Sequence, residues 1–187
     1  IDANTIAAGT LIVGAINDSV DAIQVGGRNL LSSLPTNWQQ GSFIGGTLAI
    51  NNSYQSRICI VDIKVSPNTQ YTISLKDGYE VWVPELNENK SGVLRTNAVF
   101  WSNKTFTTTS NTEYLYVSVR KTGTSYDSTN PDDFLSPSDI TDVNIKIEKG
   151  NKATDWTPAP EDVQAEIDAA SDAVNQLESD LEYLKNG

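Results

Sequence analysis

Four tryptophans (Trp38, Trp82, Trp101 and Trp156) and seven tyrosines hold most of the chemistry available to this chain of 187 residues. A flat π face receives the C–H patch of a sugar ring, and amide, carboxylate or guanidinium groups beside it bind the hydroxyls, so aromatics flanked by Arg, Asn or Gln suit a saccharide site. Trp82 stands between Val81 and Val83. Side chains alternate along a strand, so Trp82 points outward if the two valines point inward. In TEYLYVSVRKTG, Leu115, Val117 and Val119 share one face, leaving Tyr116 and Arg120 on the other. Trp101 in VFWSNKTF and Trp38 in PTNWQQGS sit beside polar residues, where rim contacts to a ligand are expected. The expected carbohydrate contacts are therefore Trp82, Tyr116, Arg120, Trp101 and Trp38, each competing with an ordinary place in a core. Tyr71, which shares a face with Ile73 and Leu75, and Trp156, which follows the last strand, are expected in the core itself.

Catalysis finds less material. The chain contains no His, which removes the commonest general base, the commonest zinc ligand and every Ser-His or Cys-His pair. Cys59 is the single cysteine, so it forms no internal disulfide, and in its apolar run it reads as a small buried hydrophobe. Glu80, Glu85 and Glu88 could suggest a glycosidase, but that chemistry needs two carboxyls at a set separation across a cleft. PELNENKSG reads instead as a solvated turn, and no enzyme is expected. Asp127, Asp132, Asp133 and Asp139 could offer oxygens to calcium, but Pro131 and Asp132 occupy the region where an EF-hand needs a sharp Gly turn. Turn and helix-cap chemistry accounts for the same residues. No cofactor is expected, with calcium as the minor alternative.

Charge and length narrow the partners. The formal charge is −11, and the stretch from Pro160 onward, with eight acids and one lysine, carries −7 of it. A mildly acidic body without a basic stripe does not neutralise phosphates, so neither nucleic acid nor an anionic membrane is the expected partner. No run of eighteen apolar residues is present. The chain opens on Ile1 and lacks Met, and reads as a piece of a longer protein.

Three stretches would position these residues. Residues 1–27, rich in Ala, Gly and short apolar side chains, read as an extended connector. Residues 28–158 carry short β-rich runs at roughly ten-residue spacing, the texture of an all-β sandwich. QYTISLKDG leads through Lys76-Asp77-Gly78 into YEVWVPEL, an expected hairpin. DVNIKIEKG places Val143, Ile145 and Ile147 inward, and SRICIVDIKVS, with Ile60 beside Val61, predicts a central strand or a bulge. Beyond Pro158 and Pro160, the apolar positions Val163, Ile167, Ala170, Val174, Leu177, Leu181 and Leu184 alternate spacings of four and three. With Ile167, Val174 and Leu181 at a and the others at d, residues 160–187 predict a coiled-coil helix of about three heptads. The alternative is an amphipathic helix folded back on its own sandwich.

The ends of the body, GRNLLSSLPTNW and VNIKIEKGNKATDWTPAPED, resemble those of modules that recur in tail, baseplate and fibre proteins of phages infecting Gram-positive bacteria. The similarity lies in Gly27, Arg28, Asn29, Leu30 and Leu31 at the start, and in Ile145, Ile147, Glu148, Gly150, Ala153, Thr154, Trp156 and Pro158 at the close. It frames about 130 residues and leaves the middle without a motif. The resemblance implies a jelly-roll sandwich like carbohydrate-binding modules, located in a virion tail among other tail proteins. Its implied ligand is bacterial cell-wall polysaccharide, and its implied assembly a homo-oligomer, trimer over dimer. The alternatives are a spacer without ligand and, further off, a hydrolase of wall polymer.

Overall fold

In the computed structural model the described residues are 27–44, 47–90, 93–95 and 100–186, so the connector expected over 1–27 lies outside them except for Gly27. The β-rich runs become strands β1 (Gln39–Gln40), β2 (Ser42–Phe43), β3 (Ile50–Asn51), β4 (Ile58–Lys64), β5 (Gln70–Ser74), β6 (Tyr79–Trp82), β7 (Glu85–Leu86), β8 (Val93–Arg95), β9 (Lys104–Thr107), β10 (Tyr114–Lys121) and β11 (Lys146–Lys149). A larger sheet has the order β1-β4-β10-β7-β8, with β6 also on β10; a smaller one runs β11-β5-β9; β2 and β3 form a separate pair. Every pairing between named strands is antiparallel.

The alternation along β10 is as expected. Leu115, Val117 and Val119 face a core shared with Ile58, Ile60 and Val81 of the same sheet and with Tyr71, Ile73, Phe106 and Ile147 of the smaller one. Two sheets thus bury one apolar layer between them, which is what makes short strands stable. The Ile60-Val61 irregularity is a bulge: Leu115 pairs with Ile63 but Val117 pairs with Ile60. Asp62, inside it, has a φ of 64°, so β4 turns its later residues without leaving its place beside β10. Pro84, which has no N–H to give a ladder, separates β6 from β7. Its carbonyl still accepts from Tyr116 N at 3.1 Å.

The hairpin expected at Lys76-Asp77-Gly78 does not form. β5 pairs with β9 and β11, while β6 pairs with β10 in the other sheet. Tyr71 and Ile73 face the core from one side and Val81 from the other, so the chain must cross between layers here. The Asp-Gly turn makes that crossing, with Gly78 at φ +92°. It is tied down by Lys76 N donating to Val143 O and Thr122 N donating to Gly78 O, both at 2.9 Å.

The two framing segments meet at one edge of the smaller sheet. Leu30 N donates to Ile147 O at 2.8 Å, and the buried Asn29 amide donates to Ile145 O and Thr157 O and accepts from Ile147 N, each at 3.2 Å. Beside them Lys146 and Glu148 are fully buried with 3.3 Å between their charged groups. Glu148 accepts from Thr154 N and Thr154 Oγ1, both at 2.7 Å, and Lys146 Nζ donates to Thr154 Oγ1 at 2.6 Å and to Asp155 O at 2.8 Å. Trp156, expected in the core, is instead 40% exposed. Its indole still latches the chain end, with Nε1 donating to Ile145 O at 3.1 Å.

A short helix, α1 (Ile140–Val143), precedes β11, and α2 (Pro160–Asn186) follows the latch. Pro160 opens α2, where its missing N–H costs nothing. Asp162 is buried at its root and accepts from Ser32 Oγ and Ser33 Oγ at 2.8 Å and from Ser33 N, while Arg28 pairs with Glu161. Beyond this root the helix leaves the body. Val163, Ile167, Val174, Leu177, Leu181 and Leu184 are all exposed, from 40% at Val163 to 76% at Leu184, and Ala170 is exposed with them. The helix is not folded back on its own sheets. Among the described residues no helix is long and apolar enough to cross a membrane.

Candidate functional site

The outer face of the larger sheet, opposite the shared core, is where β10 places Tyr116 and Arg120 and β6 places Trp82. Trp82 does point away from Val81, as alternation requires, but not into solvent. Phe43 and Leu48, carried over this face by the β2–β3 segment, form a second apolar cluster with Cys59, Trp82 and Leu86. Trp82 is only 6% exposed. The Phe43 ring meets it edge-on at 5.9 Å and lies 5.2 Å from the ring of Tyr116. The expectation of an open Trp82 is therefore corrected: an outward strand position becomes interior when another segment lies on it. Burial also pushes the Cys59 thiol up to about 12.

Tyr116 is half-buried beside the same cluster. Burial holds its phenol above the ordinary range, with a hydrogen bond to the Asp62 carboxylate adding to the effect. Lys90 spans this corner, 2.9 Å from Asp62 and 4.6 Å from the centre of the Tyr114 ring. Arg120 is held on three sides. Its Nε donates to Glu80 Oε1 at 2.6 Å, its Nη1 to Thr124 O at 2.7 Å, and its guanidinium lies 3.5 Å over the Phe100 ring. Arg57, buried nearby, has its pKa lowered to about 10, chiefly by burial and then by the charge of Arg120.

The remaining expected contacts lie elsewhere. Trp101 is half-buried, bridges Val81 through its backbone and packs on Phe106 at 5.6 Å, against the shared core. Trp38, expected at a rim, is buried in that core, with Nε1 donating to Ser32 O at 2.8 Å. The structure thus joins Trp82, Tyr116 and Arg120 on one face, covers the first, half-covers the second and clamps the third. Trp101 and Trp38 do not join them.

The acidic residues are similarly engaged. Glu80 also accepts from Gly123 N at 2.8 Å, and the buried Glu85 accepts from Thr109 N at 2.9 Å and Thr112 Oγ1 at 2.6 Å. Asp133 accepts from Ser128 Oγ, and Asp139 caps its own turn by accepting from Ser136 N at 2.6 Å. Among the described residues no three His, Cys, Asp or Glu side chains gather as a metal site.

Tyr54 and Tyr126 belong to the aromatic set but are not among the contacts expected from the sequence. Their rings pack at 5.0 Å, and Tyr126 is 55% exposed. The signal available was two tyrosines in Asn-, Ser- and Gln-rich turns, but nothing local shows that those turns adjoin.

Trp82 supplies a test of its covered state. Its Nε1 is buried without a hydrogen-bond partner among the described residues, and an unpaired buried donor costs about 1–3 kcal/mol. Trp82→Phe removes that donor together with part of the ring, two effects of opposite sign. The expected result is a stability change below about 1.5 kcal/mol in urea titration, with adhesion to cell walls unchanged. Lost adhesion at unchanged stability would return Trp82 to the ligand surface. Set against known proteins, the chain matches no family model, no curated protein and no solved structure.

Proposed function

We propose that this chain is a non-catalytic adhesion module of a phage tail, a jelly-roll body displayed in several copies on a coiled coil and holding host cell-wall polysaccharide. The observation that carries this reading is the uncovered heptad seam of α2, rooted in the body through Asp162 and Glu161. A stripe of Val, Ile and Leu along one helix is costly to leave in water and is satisfied by copies of itself. Sugar binding is weak per site, and several bodies on one stalk raise retention by about 10²–10⁴ without any new contact. The framing motifs support the phage-tail assignment, with a trimer favoured over a dimer and other tail proteins as neighbours in the virion.

A second reading, a spacer without ligand, is favoured by one observation: two of the five aromatic and basic residues expected to meet sugar, Trp38 and Trp82, are spent on packing. Sedimentation of the full chain with purified Gram-positive cell walls separates the two. Retention that soluble wall polysaccharide competes away supports adhesion. No retention of the oligomer leaves the spacer.

A further inference from the structure

We propose that the saccharide face is the concavity between the 51–56 turn and the 134–139 segment, a site for a neutral hexose or N-acetylhexosamine unit. The inference rests on the adhesion reading and moves its contact surface to residues other than those first expected. A cavity of about 390 Å³ is lined by Gln40, Asn52, Gln55, Phe134, Ser136 and Asp139, among others. That is the small end of the range for ligand pockets, about 300–1,000 Å³, and suits one or two sugar rings rather than a long chain. Phe134 supplies the aromatic face of that lining, while Tyr54, which precedes Gln55 in the turn, packs against the exposed Tyr126 outside it.

The chemistry of the lining selects the ligand class. Amides both donate and accept, which matches hydroxyl and N-acetyl groups. The side chains of Asn52 and Gln55 are exposed, so their amides face solvent. Among the described residues no Lys or Arg lines the cavity, and the Asp139 carboxylate already accepts from Ser136 N and Ser136 Oγ. A phosphate-bearing polymer would find no cation here. A second cavity of about 320 Å³, lined by Asn87, Glu88, Asn89, Ser110, Asn111 and Glu113, has carboxylates but no aromatic face, and so lacks the stacking half of sugar recognition.

The walls are preorganised. Gln40 Nε2 donates to the carbonyls of Gln55 at 3.0 Å and Arg57 at 2.7 Å. Ser56 Oγ donates to Ser125 O at 2.7 Å, and Leu135 N donates to Gln55 O at 3.0 Å, tying the turn to the segment and to the loop before it. Holding two loops in one geometry before binding spares the ligand that ordering cost.

The test uses saturation-transfer NMR on the full chain, with methyl β-D-glucopyranoside and N-acetylglucosamine as probes and glycerol phosphate as contrast. Gln55→Ala and Asn52→Ala replace exposed side chains of the lining, and circular dichroism checks that both variants stay folded. Transfer from either sugar that falls at least about tenfold in both variants, with none from glycerol phosphate, supports the site. Transfer unchanged by both variants, no transfer at all, or equal transfer from glycerol phosphate overturns it. Sedimentation with cell walls then separates the two claims. Retention equal in wild type and both variants sinks this site and leaves adhesion standing, whereas no retention of the wild type sinks adhesion and the site together.

Discussion

Replacing Leu177 and Leu181 with Asp is expected to convert the proposed oligomer into a folded monomer, read as mass by light scattering. Both side chains are more than half exposed in the single chain, Leu177 at 68% and Leu181 at 52%, so nothing in the body loses a packing partner. The two positions occupy consecutive d and a places of the seam, and in an assembled coil each would bring one carboxylate per strand into an apolar layer. An unpaired buried charge costs several kcal/mol per ion, against a three-heptad interface that is marginal to begin with. Dissociation should therefore be complete. The same variant is expected to lose about 10²–10⁴-fold in retention by cell walls while its melting curve stays that of the wild-type body. A wild type that is already monomeric would remove the stalk from the proposal. An unchanged mass in the variant would place the contacts between copies elsewhere.

Glu148→Ala is expected to lower the stability of the body by about 3–5 kcal/mol, because it leaves the Lys146 charge buried without its partner. Lys146 and Glu148 are 0–1% exposed, so water does not replace what is lost. The substitution also strips Thr154 N of its acceptor and loosens the segment that carries Trp156 back to Ile145. For a chain of this size the melting temperature should fall by on the order of 10 °C. Lys146→Met combined with Glu148→Leu should recover part of the loss, since removing both charges together avoids the stranded ion. A loss below about 1 kcal/mol for the single variant, measured by thermal denaturation, would mean that water reaches Lys146. Arg28 with Glu161, both well exposed, should matter far less, since exposed ion pairs contribute about 0–1 kcal/mol.

The lock at Asn29, Lys146, Glu148 and Thr154 also changes how the framing motifs are understood. Gly27 to Leu31 and Ile145 to Pro158 stand more than a hundred residues apart, yet they close one edge of the fold together. Their residue types answer a structural need: a buried amide to satisfy four backbone groups, and a buried ion pair to seat the chain end before the helix begins. Such motifs mark where the body closes, and they carry no information about what its surface holds.

Features with a local period were legible in the residues alone. The two-residue alternation of β10, the heptad spacing from Val163 to Leu184 and the break in alternation at Ile60-Val61 each follow from how side chains leave a strand or a helix, whatever packs on them. The partner of each face was not legible. Alternation says that Trp82 and Val81 point opposite ways, and only the β2–β3 segment, carrying Phe43 and Leu48 from far earlier in the chain, turns the outward side into a second core. The Asp77-Gly78 turn has the same residues whether it joins neighbouring strands or crosses between sheets, and the choice falls to Tyr71 and Val81 entering one core from opposite sides. Tyr54 and Tyr126 look unrelated along the chain and become one surface because hydrogen bonds at Gln55 and Ser56 draw two turns together. Backbone geometry repeats every two or every three and a half residues and is written locally. Coverage of a face is set by contacts between distant segments, and only folding brings those together.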